Sequence, residues 1–192
     1  MSGVWIFICG PSGVGKDSVI ALARDALSKC ADIVFARRMV SRPVQPGSDH
    51  DAMDEAGFIS LQKSGGMCWH WQAHGFYYGI AQHYADDVQA GRTVVVNGSR
   101  DHVSKLQDLN GVRLVEITAS PDRLAERLAQ RGRDSSSAIT ERLARNALLA
   151  EIKPDLLVVN DTDIAAAGVS LTDYLLLQAS KSESLTRSST RA

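Results

Sequence analysis

Val4-Trp5-Ile6-Phe7-Ile8-Cys9 is an unbroken apolar run rich in β-branched and aromatic residues. That pattern suits a strand covered on both faces at the centre of a parallel sheet. A glycine-rich turn follows, and from Asp17 to Ser28 the residues Val19, Ile20, Leu22, Ala23, Ala26 and Leu27 recur at helical spacing. Three further short β-branched runs, Thr93–Val96, Arg113–Ile117 and Leu156–Val159, predict strands. Helical patterns separate them at Ile80–Ala90 (closed by Gly91), Pro121–Gln130, Ile139–Glu151 and Asp163–Leu177. Strands alternating with helices make βαβ units, so the predicted class is α/β, a doubly wound parallel sheet flanked by helices. Two stretches break the rhythm. Residues 37–78 hold Gly, Pro, His and aromatic side chains with little helical period and read as an inserted lobe. Residues 131–137, Arg-Gly-Arg-Asp-Ser-Ser-Ser, read as a charged, mobile connection between two helices. From Lys181 to Ala192 the chain is polar, with a single Leu, and a solvated, disordered tail is expected.

Composition narrows the class. A chain of 192 residues that is 44% hydrophobic and 22% charged fits one globular domain and excludes collagen-like, coiled-coil and wholly disordered readings. The net charge of −1 argues against a general binder of nucleic acid or membrane surfaces. Cys9, Cys30 and Cys68 are too scattered for a disulfide framework or a paired-cysteine metal site, and a reducing, cytoplasmic setting is expected. No segment approaches the ~18 apolar residues of a membrane helix. The N-terminal run is short, lacks a basic leader, and does not read as a signal peptide. There are no internal repeats.

Gly10-Pro11-Ser12-Gly13-Val14-Gly15-Lys16-Asp17-Ser18 resembles a P-loop, with the G-x-x-x-x-G-K spacing between a buried strand and a helix. Glycines let successive backbone N–H groups wrap phosphate oxygens. The helix N-terminus favours negative charge there, and Lys16 reaches the β- and γ-phosphates as a point charge. Such a loop serves ATP- and GTP-using enzymes, with Mg²⁺ as the nucleotide's companion. The residue after the lysine, ordinarily Ser or Thr and a Mg²⁺ ligand, is Asp17. The strand Thr93–Val96 ends in Asn97 where a carboxylate is usual. Two readings of Asp17 stand: it supplies the metal-side carboxylate that Asn97 cannot, or it complements the helix dipole as a first-turn acid.

Beyond the P-loop, Ser41-Arg42-Pro43, Tyr77-Tyr78-Gly79, the Arg131-Gly132-Arg133-Asp134 turn and Asn160-Asp161 occur in guanylate-kinase order, and the resemblance spans residues 3–178. It implies a single P-loop kinase domain over residues 1–180. The core would comprise 1–34 and 86–180, with an acceptor-binding lobe near 35–85 and a lid near 131–145. Some positions depart from guanylate kinases. The glutamate that reads guanine is replaced by Trp69, the Asp-Tyr pair by Asp49-His50, and the second arginine after Arg42 is absent. Pairing of buried polar groups carries base selectivity, and an indole cannot supply it.

These departures resemble the ribose 1,5-bisphosphate phosphokinase family. Its segments are matched here by Gly10 to Ser18, Ser41 to Pro43 with Asp49-His50, Trp71 to Gly75 with Tyr78-Gly79, and Asn97 to Arg100. The resemblance implies transfer of the γ-phosphoryl of ATP to the 1-phosphate of a small sugar phosphate, yielding 5-phosphoribosyl 1-diphosphate in phosphonate breakdown. A monomer or homodimer without nucleic-acid or membrane partners is expected. A nucleoside-monophosphate kinase with altered base selection and a non-catalytic binding module are the alternatives.

On this reading Lys16 and the lid residues Arg131, Arg142 and Arg145 stabilise the transferring group, Arg142 and Arg145 sharing a helix face. Arg42 and His50 are expected on the acceptor's phosphates. His74 and Tyr78 stand in the sugar pocket or pack the lobe. Arg100, directly after a strand end where α/β sheets bind ligands, contacts phosphate or ribose. Asn160 and Asp161 hold the adenine or form an Asx turn. Arg37 and Arg38 read as a solvated basic strand end, and Arg123 and Arg127 as surface pairs with residues such as Glu126.

Overall fold

Strand β1 (Val4–Cys9) is buried along its whole length, as an unbroken apolar run requires. Side chains alternate along a strand, so Val4, Ile6 and Ile8 enter one core layer while Trp5, Phe7 and Cys9 enter the other. The computed structural model describes residues 3–44, 49–130 and 152–189. Four more strands flank β1: β2 (Ile33–Phe35), β7 (Thr93–Asn97), β8 (Val112–Thr118) and β9 (Leu156–Val159). Their order is β2-β7-β1-β8-β9, and every pairing is parallel. The C-terminal ends of β1 and β7 therefore open on one edge, where the P-loop and the Asn97-Gly98-Ser99 turn lie side by side.

One face of the sheet is covered by helices α1 (Lys16–Ala26) and α6 (Ile164–Ser189). Ala167, Leu171, Leu175 and Ala179 recur every four residues on α6 and form its buried stripe, with Val19, Ile20 and Ala23 of α1 in the same core. The sequence reading began a disordered tail at Lys181, but α6 continues through Ser189. A helix already formed propagates at little cost through residues that are neither Gly nor Pro, and composition alone does not register this.

Residues 38–81 build a second sheet of order β4-β3-β6-β5. Its strands are β3 (Arg38–Val40), β4 (His50–Ala52), β5 (Met67–Ala73) and β6 (Phe76–Ala81). Helix α2 (Glu55–Lys63) follows its N-cap Asp54, whose carboxylate accepts from Gly57 N–H at 2.7 Å. Phe58 seats this helix on Met39 and Met67 in a small core of the lobe's own. The expected helix Ile80–Ala90 is corrected: Ile80 and Ala81 pair in β6, and helix α3 spans His83–Gln89. Ladder pairing of Ile80 with Arg38 and Trp69 overrides the local periodicity there.

Helices α4 (Arg100–Val103) and α5 (Pro121–Gln130) follow β7 and β8. No helix among the described residues is long and apolar enough to cross a membrane. The expected lid at 131–145 and helix at Ile139–Glu151 lie outside the described residues, and with them Arg131, Arg142 and Arg145.

Candidate active site

The loop Gly10–Ser18 leaves β1 and enters α1 with Gly15 as its N-cap, in the left-handed region at φ 84°. Two approaches make glycine obligatory here. A Cβ on Gly10 would stand 2.2 Å from the Ile117 carbonyl oxygen, and one on Gly15 would stand 2.8 Å from Asn160 Nδ2. The Val14 carbonyl is fixed from behind. Asn160 Nδ2–H donates to it at 2.7 Å and Arg127 Nη1–H at 3.2 Å. Asn160 is fully buried, and Asp161 accepts from Ser120 N–H at 2.6 Å. Neither Asn160 nor Asp161 lines the cleft described below, so this pair braces the loop and the start of α5. Arg127 is corrected from surface pairing to loop support, while Arg123 does pair with Glu126 at 2.9 Å.

A cleft of about 540 Å³ lies between this loop and the lobe. Gly10, Pro11, Ser12, Gly13, Val14, Gly15, Lys16, Asp17 and Ser18 form one wall; Arg38, Arg42, Trp71, His74 and Tyr78 form the other; Gly98 to Asp101 close the end. The fold thus brings Arg42, His74, Tyr78 and Arg100 into one cleft with Lys16. His50 is kept out. It is fully buried, and its Nε2–H donates to the Arg42 carbonyl at 3.3 Å, so it shapes the Arg42 turn from beneath.

Arg38 was read as solvated, and the structure puts it in the cleft instead, with its guanidinium 5.8 Å from the centre of the Tyr78 ring. Burial pulls the Arg38 guanidinium below the usual arginine value. Its neighbour Arg37 points the other way and is half exposed, in keeping with a solvated basic strand end, bonding Asp51 at 2.5 Å and Asp49 at 2.7 Å. Adjacent strand residues face opposite sides, so a strand assignment through Arg38 would have separated the two arginines. Without it they read alike.

Asn97 Nδ2–H donates to Asp17 Oδ1 at 2.6 Å, which unites the two positions that departed from the usual P-loop pattern. The Asn97 Oδ1 atom is buried and lacks a hydrogen-bond partner among the described residues. A carboxylate beside an unsatisfied carbonyl oxygen, at the mouth of a phosphate loop, is an all-oxygen donor set that suits Mg²⁺ or a water on it.

Arg100 Nε pairs with Glu116 Oε1 at 3.2 Å, and the two side chains are only 15% and 14% exposed. Glu116 is registered beside Cys9, whose thiol is pushed up to about 12, first by burial and then by this carboxylate. Cys9 is thus a protonated core residue at neutral pH.

The lobe's inner surface is an aromatic column. Trp71 stacks on Tyr78 (centroids 5.5 Å apart, 9° between planes) and on His102 (4.5 Å, 4°). Trp69 meets Trp5, Phe7 and His102 edge-on, as a packing residue and not a polar reader. His102 is pushed down to about 4, first by burial and then by Lys105, so its ring is neutral at pH 7. A lowered folded value means the unfolded chain takes up this proton first as pH falls. Stability contributed by the neutral ring is complete above pH 6.5 and is lost progressively between pH 6.5 and about 4. For so buried a ring the loss is at most about 3 kcal/mol. His102→Phe, which keeps an aromatic ring on Trp71, is expected to flatten this part of the curve. Urea denaturation of both proteins across that range checks it, and parallel curves would refute it.

The comparisons with known proteins identify the family. A family model described as an AAA domain matches residues 6–147. Ribose 1,5-bisphosphate phosphokinase PhnN of Acidiphilium cryptum (strain JF-5) is 40% identical over 175 residues, 91% of this chain and 93% of that protein. Its namesake from Brucella abortus biovar 1 (strain 9-941) is 37% identical over 176 residues, 91% of this chain and 92% of that protein. Among solved structures, guanylate kinase from Anaplasma phagocytophilum superposes with a TM-score of 0.66 at 17% identity, covering 93% of this chain and 87% of that one, a likeness of fold. With its phosphate loop, its arginine-lined cleft and a tryptophan in place of a base-reading carboxylate, the chain belongs to the ribose 1,5-bisphosphate phosphokinase family of P-loop kinases.

Proposed function

We propose that this protein phosphorylates ribose 1,5-bisphosphate at its 1-phosphate with ATP, forming 5-phosphoribosyl 1-diphosphate and ADP. The observation that carries the reading is the juxtaposition, across one cleft, of an intact phosphate loop and two arginines, Arg38 and Arg42, beside an aromatic floor. The bond that forms joins an oxygen of the 1-phosphate to the γ-phosphorus. The bond that breaks joins that phosphorus to the β,γ-bridging oxygen, and the electron pair leaves with ADP. The nucleophile is a phosphate oxygen already ionised at neutral pH, so no general base is required. Catalysis reduces to alignment and to neutralising charge between two anions.

The loop N–H groups and Lys16 hold the donor's phosphates and meet the charge that spreads over the transferring group. Arg42, turned toward the cleft over Phe76 at 5.8 Å, holds the reacting phosphate, and Arg100, oriented by Glu116, closes the end of the cleft. Arg131, Arg142 and Arg145, which the family resemblance assigns to the transferring group, lie outside the described residues. Asp17 and Asn97 are the residues that would hold Mg²⁺, which would supply positive charge to offset that of the phosphates.

Trp69 favours this reading over a guanylate kinase, because its ring is engaged by Trp5, Phe7 and His102 and offers no carboxylate to a base edge. The test is a ³¹P NMR assay with Mg-ATP and either ribose 1,5-bisphosphate or GMP. A new diphosphate doublet with the sugar, and none with GMP, is expected. Phosphorylation of GMP alone would overturn the assignment.

A further inference from the structure

Among the described residues four Lys and Arg side chains line the cleft, and two have evident duties: Lys16 belongs to the donor loop and Arg100 is paired with Glu116. Arg38 and Arg42 differ from these. Neither guanidinium makes a hydrogen bond or ion pair with a described residue, and each lies 5.8 Å from an aromatic ring, Tyr78 and Phe76 respectively. The Nε of Arg42 is buried and unsatisfied, while Arg38 is desolvated enough to lower its proton affinity. Desolvating a cation without a bonded counter-charge is costly, and an arriving anion offsets that cost.

The two arginines stand at opposite ends of the lobe's inner wall. Arg38 opens β3 at the lobe's root, three residues past the end of β2 at Phe35. Arg42 lies two residues past the other end of β3, toward the hairpin tip at His74-Gly75. At most ~13 Å of chain separates them, a span that a five-membered sugar with a phosphate at each end can bridge between two inward-reaching guanidiniums. Arg38 also lines a second hollow of about 340 Å³, which shares Asp17 and Ser18 with the main cleft and runs on to Arg24 and Asp49. Arg42 lines only the first. Asp17 and Asp49 lie within the electrostatic field of Arg38 without bonding it.

Resting on the kinase reading above, we propose that Arg38 holds the non-reacting 5-phosphate of the acceptor and so makes this site select a bisphosphate. The reacting 1-phosphate then lies between Arg42 and Lys16, with the sugar over Tyr78 and Trp71. A base-bearing monophosphate would present a neutral ring to a buried cation, leaving its charge unanswered. This is a specificity device separate from the loss of a base-reading carboxylate at Trp69.

The test is a truncation cycle. Wild type, Arg38→Met (which keeps the apolar stem on Tyr78) and Arg38→Lys are assayed with ribose 1,5-bisphosphate and with ribose 1-phosphate, which retains the nucleophile and lacks the 5-phosphate. Loss of a desolvated guanidinium–phosphate contact is expected to lower kcat/KM on the bisphosphate about 100-fold in Arg38→Met, and to shrink the preference over ribose 1-phosphate by a similar factor. Arg38→Lys, which retains the charge, recovers part of that preference. If both acceptors lose equally, or neither loses, the assignment of Arg38 is wrong and the residue is structural. If the wild type turns over neither acceptor, the kinase reading itself has failed.

Discussion

Replacing Lys16 with methionine is expected to lower kcat by about a thousandfold or more, since removing a single preorganised charge contact to a transferring group costs two to three orders of magnitude and a full cation costs more. The same change should leave the protein at least as stable as before. Lys16 is the first residue of α1, where the helix dipole presents positive charge, so a cation there is unfavourable in the free enzyme. The separation of the two effects is diagnostic. Single-turnover kinetics with thermal unfolding of Lys16→Met would measure both. Retention of more than a tenth of wild-type kcat would remove Lys16 from the transition state. A fall in Tm comparable to a core mutation would mean that the residue holds the loop together.

Glu116→Ala is expected to have the largest effect on stability. Glu116 and Arg100 form a nearly buried pair on the cleft floor at 3.2 Å, next to the fully buried Cys9. Removing the carboxylate strips a desolvated guanidinium of its bonded counter-charge, and breaking one side of such a pair costs ~3–5 kcal/mol. For a chain of this length that is a fall of roughly 8–15 °C in Tm. Arg100→Met combined with Glu116→Leu should be less harmful than Glu116→Ala alone, because the desolvated guanidinium is removed together with its carboxylate. Calorimetry of the three proteins decides the matter. Equal losses in the single and double variants would show that packing and not charge is at stake. Activity should fall in all three, since Arg100 lines the cleft.

The chemistry most legible in the sequence is the chemistry that is contiguous. Gly10 to Ser18 follows a wholly buried strand and opens a helix, so one stretch of chain contains its own glycines, its lysine and the helix terminus that receives phosphate. Strands β1 and β9 are bounded as the sequence predicts, and β7 and β8 within a residue at each end. A buried parallel strand needs apolar side chains on both faces, as in β1, while at the sheet edge Leu157 and Val159 of β9 stay about half exposed. The lobe was harder to read. Strands β3 and β4 have three residues each, too few to display a period, and they exist because β6 pairs with β3 across almost forty residues of sequence.

Side-chain direction was the other limit. Nothing local separates Arg37 from Arg38, yet at the start of β3 one turns to Asp49 and Asp51 at the surface and the other into the cleft. His50 lies in a segment that matched an acceptor-binding pattern, and its burial under the Arg42 carbonyl makes it a support instead. Asn160 and Arg127 converge on the Val14 carbonyl from 146 and 113 residues away. The sequence by itself therefore determined the fold class, the donor loop and the kind of chemistry, since each depends on neighbours in the chain. Tertiary structure alone decided which arginines face the acceptor, which residues brace the loop, and how Asp17 meets Asn97, because those depend on where distant backbone segments cross.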